Sequence, residues 1–596
     1  FIDASLLLAS IERPVRFLMY RPIYESRIIN PLARRMKAIP IASGDGRKGI
    51  EKSLEYAREL IEEGEIVGIF AEGAITRTGG MLPFKSGFET IMKGSTAPII
   101  PAHIDRLWGS IFSFRRGKAF FKIPREIPYP VTVSFGEPLD SSANANEVRS
   151  AVECLSAKAF ALRPGLNSTL AESFILQTKK SPFRKALRGN KKLFRYLHLS
   201  GRALSISSAL VRNSVPEANL FLSVANRFEA ALAHIAGVLS GKKILHLARN
   251  APCKELAATL SGTIIIKTFS EASSLQSDES LPWIKLNSLG GSIESALWQF
   301  AILLIPIQLW RRFFANSRHI TPNSVAYLLS TTQSIENPKL VKLEHKNVLA
   351  NIEGLTEVFD IESHDVFAGI LPLSYSLAVG PAFWLPLLRG AAISYPAIDT
   401  EFNLDWLSKE EITVLIATPM LADRLLNETK ESKNLASLPR KLALRRAFVG
   451  GDVVRENLLR EFHEKIGVRL DEGYGCAEIG AVGLINLRDF GEGKAAQKGT
   501  KVGSAGVPVP GLAVRIVSSQ GMVELPHGTV GELQFYGVCI STSYALIESN
   551  SDVDVLNEQG WFESKDFGVR DEDGFVRVLG PWYRTLLVDN TRYDLR

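Results

Sequence analysis

A chain of 596 residues with 46% apolar and 22% charged content is long enough for several packed cores and excludes wholesale disorder. Its net charge of +7 favours acidic partners, with anionic membrane, nucleic acid, an acidic carrier protein and phosphorylated metabolites all open. Four separated cysteines (Cys154, Cys253, Cys476 and Cys539) form no C-x-x-C pair, which argues against a disulfide framework or zinc site and fits a reducing compartment.

The first residue is Phe1, with no basic n-region or signal-like segment, so the chain is expected to begin inside a longer protein. Residues 1–163 alternate helical and strand-like patterns, which predicts an α/β unit. Within it, residues 49–63 place Ile50, Leu54, Ala57, Leu60 and Ile61 at helical spacing. Residues 66–70, 97–104 and 131–135 are short apolar runs expected as strands, and 147–162 a helix that closes the unit. The most informative run is residues 69–89, IFAEGAITRTGGMLPFKSGFE. An apolar segment stops at Glu72-Gly73, and Thr76, Arg77, a Gly79-Gly80 break and Lys85 follow. Glycines permit close backbone approach, while hydroxyls, a guanidinium and an ammonium suit phosphate oxygens. A solvated charged turn is the alternative.

Residues 164–202 are expected as a basic linker. Between Lys179 and Arg202 lie nine Lys/Arg and no acid, interleaved with Phe183, Leu187, Leu193, Phe194, Tyr196 and Leu197. Such a segment suits an anionic bilayer or an acidic carrier as well as a plain linker. No nucleic-acid motif accompanies the charge, so no nucleic-acid partner is expected. Residues 203–596 again read as α/β, turning β-rich after about residue 500, where short strands are separated by Gly, Pro and Asp turns. The most apolar stretch, residues 296–310, is too short to span a bilayer and contains Pro306, which predicts a buried or interfacial helix.

The start FIDASLLLA, then FAEGAITRTG, then PIIPAHI resembles the glycerolipid acyltransferase family over residues 1–163. Asp3 matches the Asp of that family's H-x-x-x-x-D motif, Glu72-Gly73 its E-G motif and residues 98–101 its Pro-rich strand, although Ala71 stands where Pro is usual. The resemblance implies acyl transfer to a glycerol hydroxyl by a His base that Asp3 orients, with no cofactor. Glu72, Gly73, Thr76, Arg77 and Lys85 would bind the phosphorylated acceptor. The His would be the third residue before Phe1, and none of the nine histidines precedes Asp3. These 596 residues alone are therefore expected to be inactive in acyl transfer, and the complete protein active.

Residues 203–596 resemble the large domain of adenylate-forming enzymes, the acyl-CoA and acyl-carrier-protein synthetases. The signs are STTQSIENPKLVKLEHKNVLAN from Ser330, LPLSYS from Leu371, FVGGDVV from Phe448, DEGYGCAE from Asp471 and GWFESKD from Gly560. The resemblance implies ATP binding by Thr331, Thr332, Lys339, Tyr474, Glu478 and Asp566, with Glu478 on Mg. Departures weaken the expected activity. Gln333, Glu336 and Leu340 stand where the phosphate loop has glycines, Ala477 replaces Thr, Ser564-Lys565 replaces Thr-Gly, and Pro581 falls where Arg is typical. The small C-terminal domain with the family's catalytic Lys would lie beyond Arg596.

The domain order resembles bacterial bifunctional proteins with 2-acylglycerophosphoethanolamine acyltransferase and acyl-ACP synthetase activity. That implies activation of a fatty acid with ATP and Mg, loading on acyl carrier protein or CoA, and transfer to a lysophospholipid or acylglycerol phosphate. The expected place is an anionic membrane surface at the cytoplasmic face of the bacterial inner membrane. Two rivals stay open: a working acyltransferase whose adenylating domain is a non-catalytic carrier- or lipid-binding module, and a fatty-acid ligase with a vestigial first domain.

Overall fold

The structure is a computed structural model that describes residues 2–42, 44, 46–115, 127–189, 192–213, 219–223, 227–246, 264–267, 283–330, 339–397, 402–431, 442–491, 496–518, 523–546, 551–581, 585–588 and 591–594. Its N-terminal unit is built on three parallel strands, with Val15–Tyr20 between Ile39–Ile41 and Ile66–Gly68. Strand periodicity sends Val15 and Phe17 to one face, against Ala4 and Leu7 of the helix Ile2–Ala9. Leu18 takes the other face, with Ile39, and meets Leu54, Ala57 and Leu60 of the helix Gly46–Glu62. The apolar run expected over 97–104 forms a strand only at Ala102–Asp105, which pairs antiparallel with Thr132–Phe135.

The helix Ala145–Ala161 starts at a reciprocal cap between Asn144 and Glu147. It does more than close the first unit. Phe160 at its end joins the core of the following part, where Gly511 (φ +92°) lies so close that an added Cβ would stand 2.7 Å from the Phe160 ring. A side chain at that position would be doubly excluded, by backbone geometry and by space.

The basic segment corrects the expectation of a linker. Residues 164–202 fold as a short turn Pro164–Asn167, a helix Leu170–Lys180, strands Lys185–Gly189 and Lys192–Arg195, and the start of the helix Tyr196–Arg212. Lys185–Gly189 pairs parallel with Ala392–Tyr395, and Lys192–Arg195 ends a nine-stranded sheet. Leu170, Phe174, Ala186, Leu187 and Tyr196 are wholly buried. Tyr196 donates its hydroxyl hydrogen among the carbonyls of Leu387 and Ala391, at 3.0 and 2.8 Å. Of the segment's basic residues, Lys192 and Arg195 sit on the edge strand, where charge blocks pairing with another chain.

The remainder holds this nine-stranded sheet, an eight-stranded sheet and a four-stranded antiparallel sheet of Leu512–Val517, Val530–Gly537, Phe562–Arg570 and Val576–Pro581. Parallel strands such as Val414–Ala417 and Arg446–Val449 are apolar because helices cover both faces. The architecture is α/β with a β-rich subdomain. The apolar stretch at 296–310 is not one helix: Pro306 divides it into Ser292–Leu304 and Ile307–Arg318. Among the described residues no helix is long and apolar enough to cross a membrane.

Candidate active sites

In the N-terminal unit the chain leaves the strand Ile66–Gly68, turns at Glu72-Gly73 and returns to close against itself, with Lys85 N–H donating to the Ala71 carbonyl at 2.9 Å. Gly73 has φ +63°, and an added Cβ would meet the Lys85 Nζ at 2.7 Å, so the lysine lies across the bare glycine. Glu72 accepts the Leu82 N–H on its carboxylate at 2.7 Å. Burial pushes the Glu72 carboxyl up to about 7; the Leu82 N–H and the charge of Arg149 oppose the rise, and the charge of Asp3 adds to it. Asp3 lies on the first turn of the helix Ile2–Ala9. Glu72, Gly73 and Lys85 are therefore neighbours in one turn.

Thr76 and Arg77 have other employment. Thr76 donates its hydroxyl hydrogen to the Gly80 carbonyl at 2.8 Å and accepts the Gly79 N–H at 3.1 Å, so its hydroxyl shapes the turn. The Arg77 guanidinium sits over the rings of Phe114 (4.5 Å) and Phe490 (5.1 Å). Its backbone N–H donates to Gln497 Oε1 at 2.7 Å, while Gln497 Nε2 donates to the Ile75 carbonyl at 2.9 Å. Arg77, expected on a phosphate, instead fastens the loop to the second part of the chain. His103, first of the histidines, lies on Ala102–Asp105, where burial lowers it to about 4 beside Asp105 and Arg163.

In the second part, the strand Leu470–Tyr474 carries Tyr474 next to Phe562–Arg570, and the Tyr474 hydroxyl donates to Asp566 Oδ2 at 2.6 Å. The Tyr474 ring stacks on Phe535 at 6.0 Å. Glu478 accepts the Tyr544 hydroxyl hydrogen on Oε1 at 3.0 Å, and Lys339 Nζ lies 5.4 Å from the centre of the Tyr544 ring. Burial, then the charges of Glu478 and Asp566 among other effects, pushes the Cys476 thiol up. The structure thus brings Lys339, Tyr474, Glu478 and Asp566 into one neighbourhood. Thr331 and Thr332 lie outside the described residues. The cross-strand partner of Asp566 is Pro581, which offers no charge.

The family model "AMP-binding enzyme" matches residues 177–545, well over half of the chain. The chain belongs to the AMP-binding enzyme family. Residues 1–105 match the "Acyltransferase" family model, so an acyltransferase domain is fused to the adenylate-forming one. Indoleacetate–CoA ligase of Aromatoleum aromaticum is 27% identical over 262 residues, 44% of this chain and 48% of that protein. Medium-chain fatty-acid–CoA ligase of Escherichia coli is 25% identical over 260 residues, 43% of each. The match to vanchrobactin synthetase VabF of Vibrio anguillarum covers 63% of this chain and 13% of that protein, at 24% identity. The matched stretch thus spans about half or less of these curated relatives. ATP-bound MatB of Rhodopseudomonas palustris shares the fold, with a TM-score of 0.56 at 18% identity over 71% of this chain and 81% of that one.

AMP-binding enzymes use ATP and Mg. A lone carboxylate beside substrate phosphates suits Mg, and Glu478 supplies one; among the described residues no group of three or more His, Cys, Asp and Glu is arranged for a metal. Glu478 and Asp566 each already hold a tyrosine hydroxyl, which orients them and shares their acceptor capacity. Tyr544 and Cys476 belong to this site without being singled out in the sequence, because neither residue type signals nucleotide chemistry by itself. Lys565, standing where the family has Gly, keeps a left-handed backbone at φ +63°. Lys565→Gly is expected to raise stability by about 1 kcal/mol, the cost of left-handed geometry less the weak ion pairs that the exposed lysine makes to Glu563 and to the largely buried Glu532. Urea unfolding measures it; an unchanged midpoint refutes the strain.

Proposed function

We propose that the N-terminal domain transfers an acyl group from a CoA or carrier-protein thioester to the free hydroxyl of a lysophospholipid or acylglycerol phosphate, and that the adenylate-forming domain supplies the thioester from a fatty acid. The observation that supports this most is the grouping of Glu72, Gly73 and Lys85 in one turn, with the charge of Asp3 felt at Glu72. Lys85 is exposed and the glycine leaves room beside it, which suits a phosphate. Glu72 would accept a hydrogen bond from the acceptor, and Asp3 would orient the imidazole that takes the hydroxyl proton. The new C–O bond forms as the C–S bond breaks, and the proton leaves with the thiol. The acyl-CoA ligases among the relatives favour a CoA thioester or its carrier-protein equivalent. A place at the cytoplasmic face of a bacterial inner membrane accords with a lipid acceptor.

A second reading gives the adenylate-forming domain a binding role only. Pro581 opposite Asp566 and Ala477 beside Glu478 favour it, since both remove polar groups from the nucleotide's surroundings. ATP–pyrophosphate exchange with a fatty acid, measured on the full-length protein, separates the readings. We expect exchange that falls at least about tenfold in Asp566→Asn, the loss of one charge-assisted hydrogen bond. No exchange in the parent leaves the binding role, and exchange without acyl transfer to any lysophospholipid leaves a ligase with a vestigial first domain.

A further inference from the structure

The helix Ser292–Leu304 packs through one face only. Ser295 and Ile302 are buried, and the Trp298 ring lies 6.0 Å from Trp310 and 6.1 Å from Phe313. Gln299 covers Gly201 of the helix Tyr196–Arg212. At about 100° per residue, Ile293, Leu297, Phe300 and Leu304 fall within about 60° of one another on the opposite side. They are 80%, 65%, 65% and 64% exposed. Leu303 and, on the next helix, Leu309 are exposed as well. Single exposed leucines are ordinary, but an aligned row of four large apolar side chains is an interaction surface.

Charge at its rim decides what covers it. Lys179 Nζ donates to the Ile305 carbonyl at 2.8 Å, so the basic segment meets the end of this helix. Lys180, Lys185, Lys192 and Arg195 of that segment are exposed, with exposed Phe183 and Leu193 among them. Arg311 and Arg312 are exposed on Ile307–Arg318. An apolar ridge bordered by cations matches an anionic bilayer, whose acyl region takes Leu and Phe while its headgroups take Lys and Arg. A second copy of the chain would instead bring this positive rim against itself.

We infer that the helix Ser292–Leu304 and its basic border form the surface by which the chain lies on an anionic lipid bilayer. Vesicle binding tests this without any acyl transfer, so its failure leaves the proposed reaction standing. The 596-residue chain is sedimented with phosphatidylcholine vesicles containing about 30% phosphatidylglycerol, and with pure phosphatidylcholine vesicles. The expected result is binding to the anionic vesicles that drops about tenfold or more in Leu297→Glu/Phe300→Glu, at an unchanged melting temperature. Arg311→Ala/Arg312→Ala is expected to lose binding to the anionic vesicles alone, by roughly tenfold or more. Leu297→Ser/Phe300→Ser replaces the first variant should glutamates lower the melting temperature. Undiminished binding by these variants overturns the inference. So does a parent that ignores vesicles and sediments as a dimer that Leu297→Glu/Phe300→Glu dissociates.

Discussion

Glu72→Gln is expected to cost the full-length protein acyl transfer while making its N-terminal domain more resistant to heat above pH 7. The carboxyl sits half-buried with the like charge of Asp3 felt at it, and its folded value of about 7 lies above the ordinary 4.5. Below pH 4.5 the group is protonated in both folded and unfolded chains and contributes nothing. Between 4.5 and 7 the unfolded chain ionises while the folded one holds its proton, so stability falls as pH rises through that window. Above pH 7 the full penalty is present, on the order of 3 kcal/mol at 1.36 kcal/mol per unit. Glutamine keeps an acceptor for the Leu82 N–H and carries no charge, so it removes the penalty. Activity moves the other way. Losing a charged acceptor of about 1.5–3 kcal/mol lowers kcat/KM roughly 10- to 100-fold. The parent's kcat/KM is also expected to climb through pH 7 and the variant's to lose that step. Scanning calorimetry at pH 5 and pH 8 with acyl-transfer assays across the same range reads both effects. Equal melting of parent and variant at pH 8 would contradict the buried charge, and retained activity would remove Glu72 from the site.

Arg163→Met is expected to cost about 3–5 kcal/mol and to separate the unfolding of the two domains. Arg163 donates to Asp105 at 2.8 and 2.6 Å, to Glu357 at 2.7 Å and to Glu353 at 3.3 Å, with its guanidinium 3.8 Å from the centre of the Phe160 ring. Asp105 belongs to the strand pair of the N-terminal unit, Glu353 and Glu357 to the helix His345–Val358. One cation thus answers carboxylates from both. Methionine fills the space but leaves buried charges without a partner. Burial already pushes the Glu357 carboxyl up against the pull of Arg163. Without that pull the Glu357 carboxyl takes a proton more readily, so the deficit should shrink as pH falls. Urea unfolding followed by two probes is expected to show one transition in the parent and two in the variant. Adding Asp105→Asn and Glu357→Gln should restore much of the loss; a variant as stable as the parent would show the cluster to be idle.

The fold was legible wherever apolar periodicity was local. Leu54, Ala57 and Leu60 repeat at helical spacing and are buried, and the runs at 66–70 and 131–135 hold the strands Ile66–Gly68 and Thr132–Phe135. The basic segment misled because its lysines and arginines mask the few side chains that carry the packing. Ala186, Leu187 and Tyr196 are buried among them, and nothing nearby in sequence announces the strand Ala392–Tyr395 that receives them. The candidate sites divide the same way. Glu72, Gly73 and Lys85 sit within one turn, so their association follows from short spacing. Arg77 has the chemistry of an anion ligand, but its partners Phe490 and Gln497 arrive more than 400 residues later. Residue type states what a side chain is able to bind; only the fold chooses among the candidates.

The Gln497 amide imitates a stretch of backbone. It accepts from Arg77 and donates to Ile75, much as a neighbouring strand would, and so supplies the loop after Glu72 with a rung that its own domain lacks. A loop completed from outside is not portable. Transplanting the first domain into another fusion, or exchanging the second for a more active ligase, would carry over every residue of the Glu72 turn and still leave the Ile75 carbonyl and Arg77 N–H without their rung. The heritable unit of this acyltransferase-family domain therefore includes a glutamine that no boundary drawn at its own core would contain.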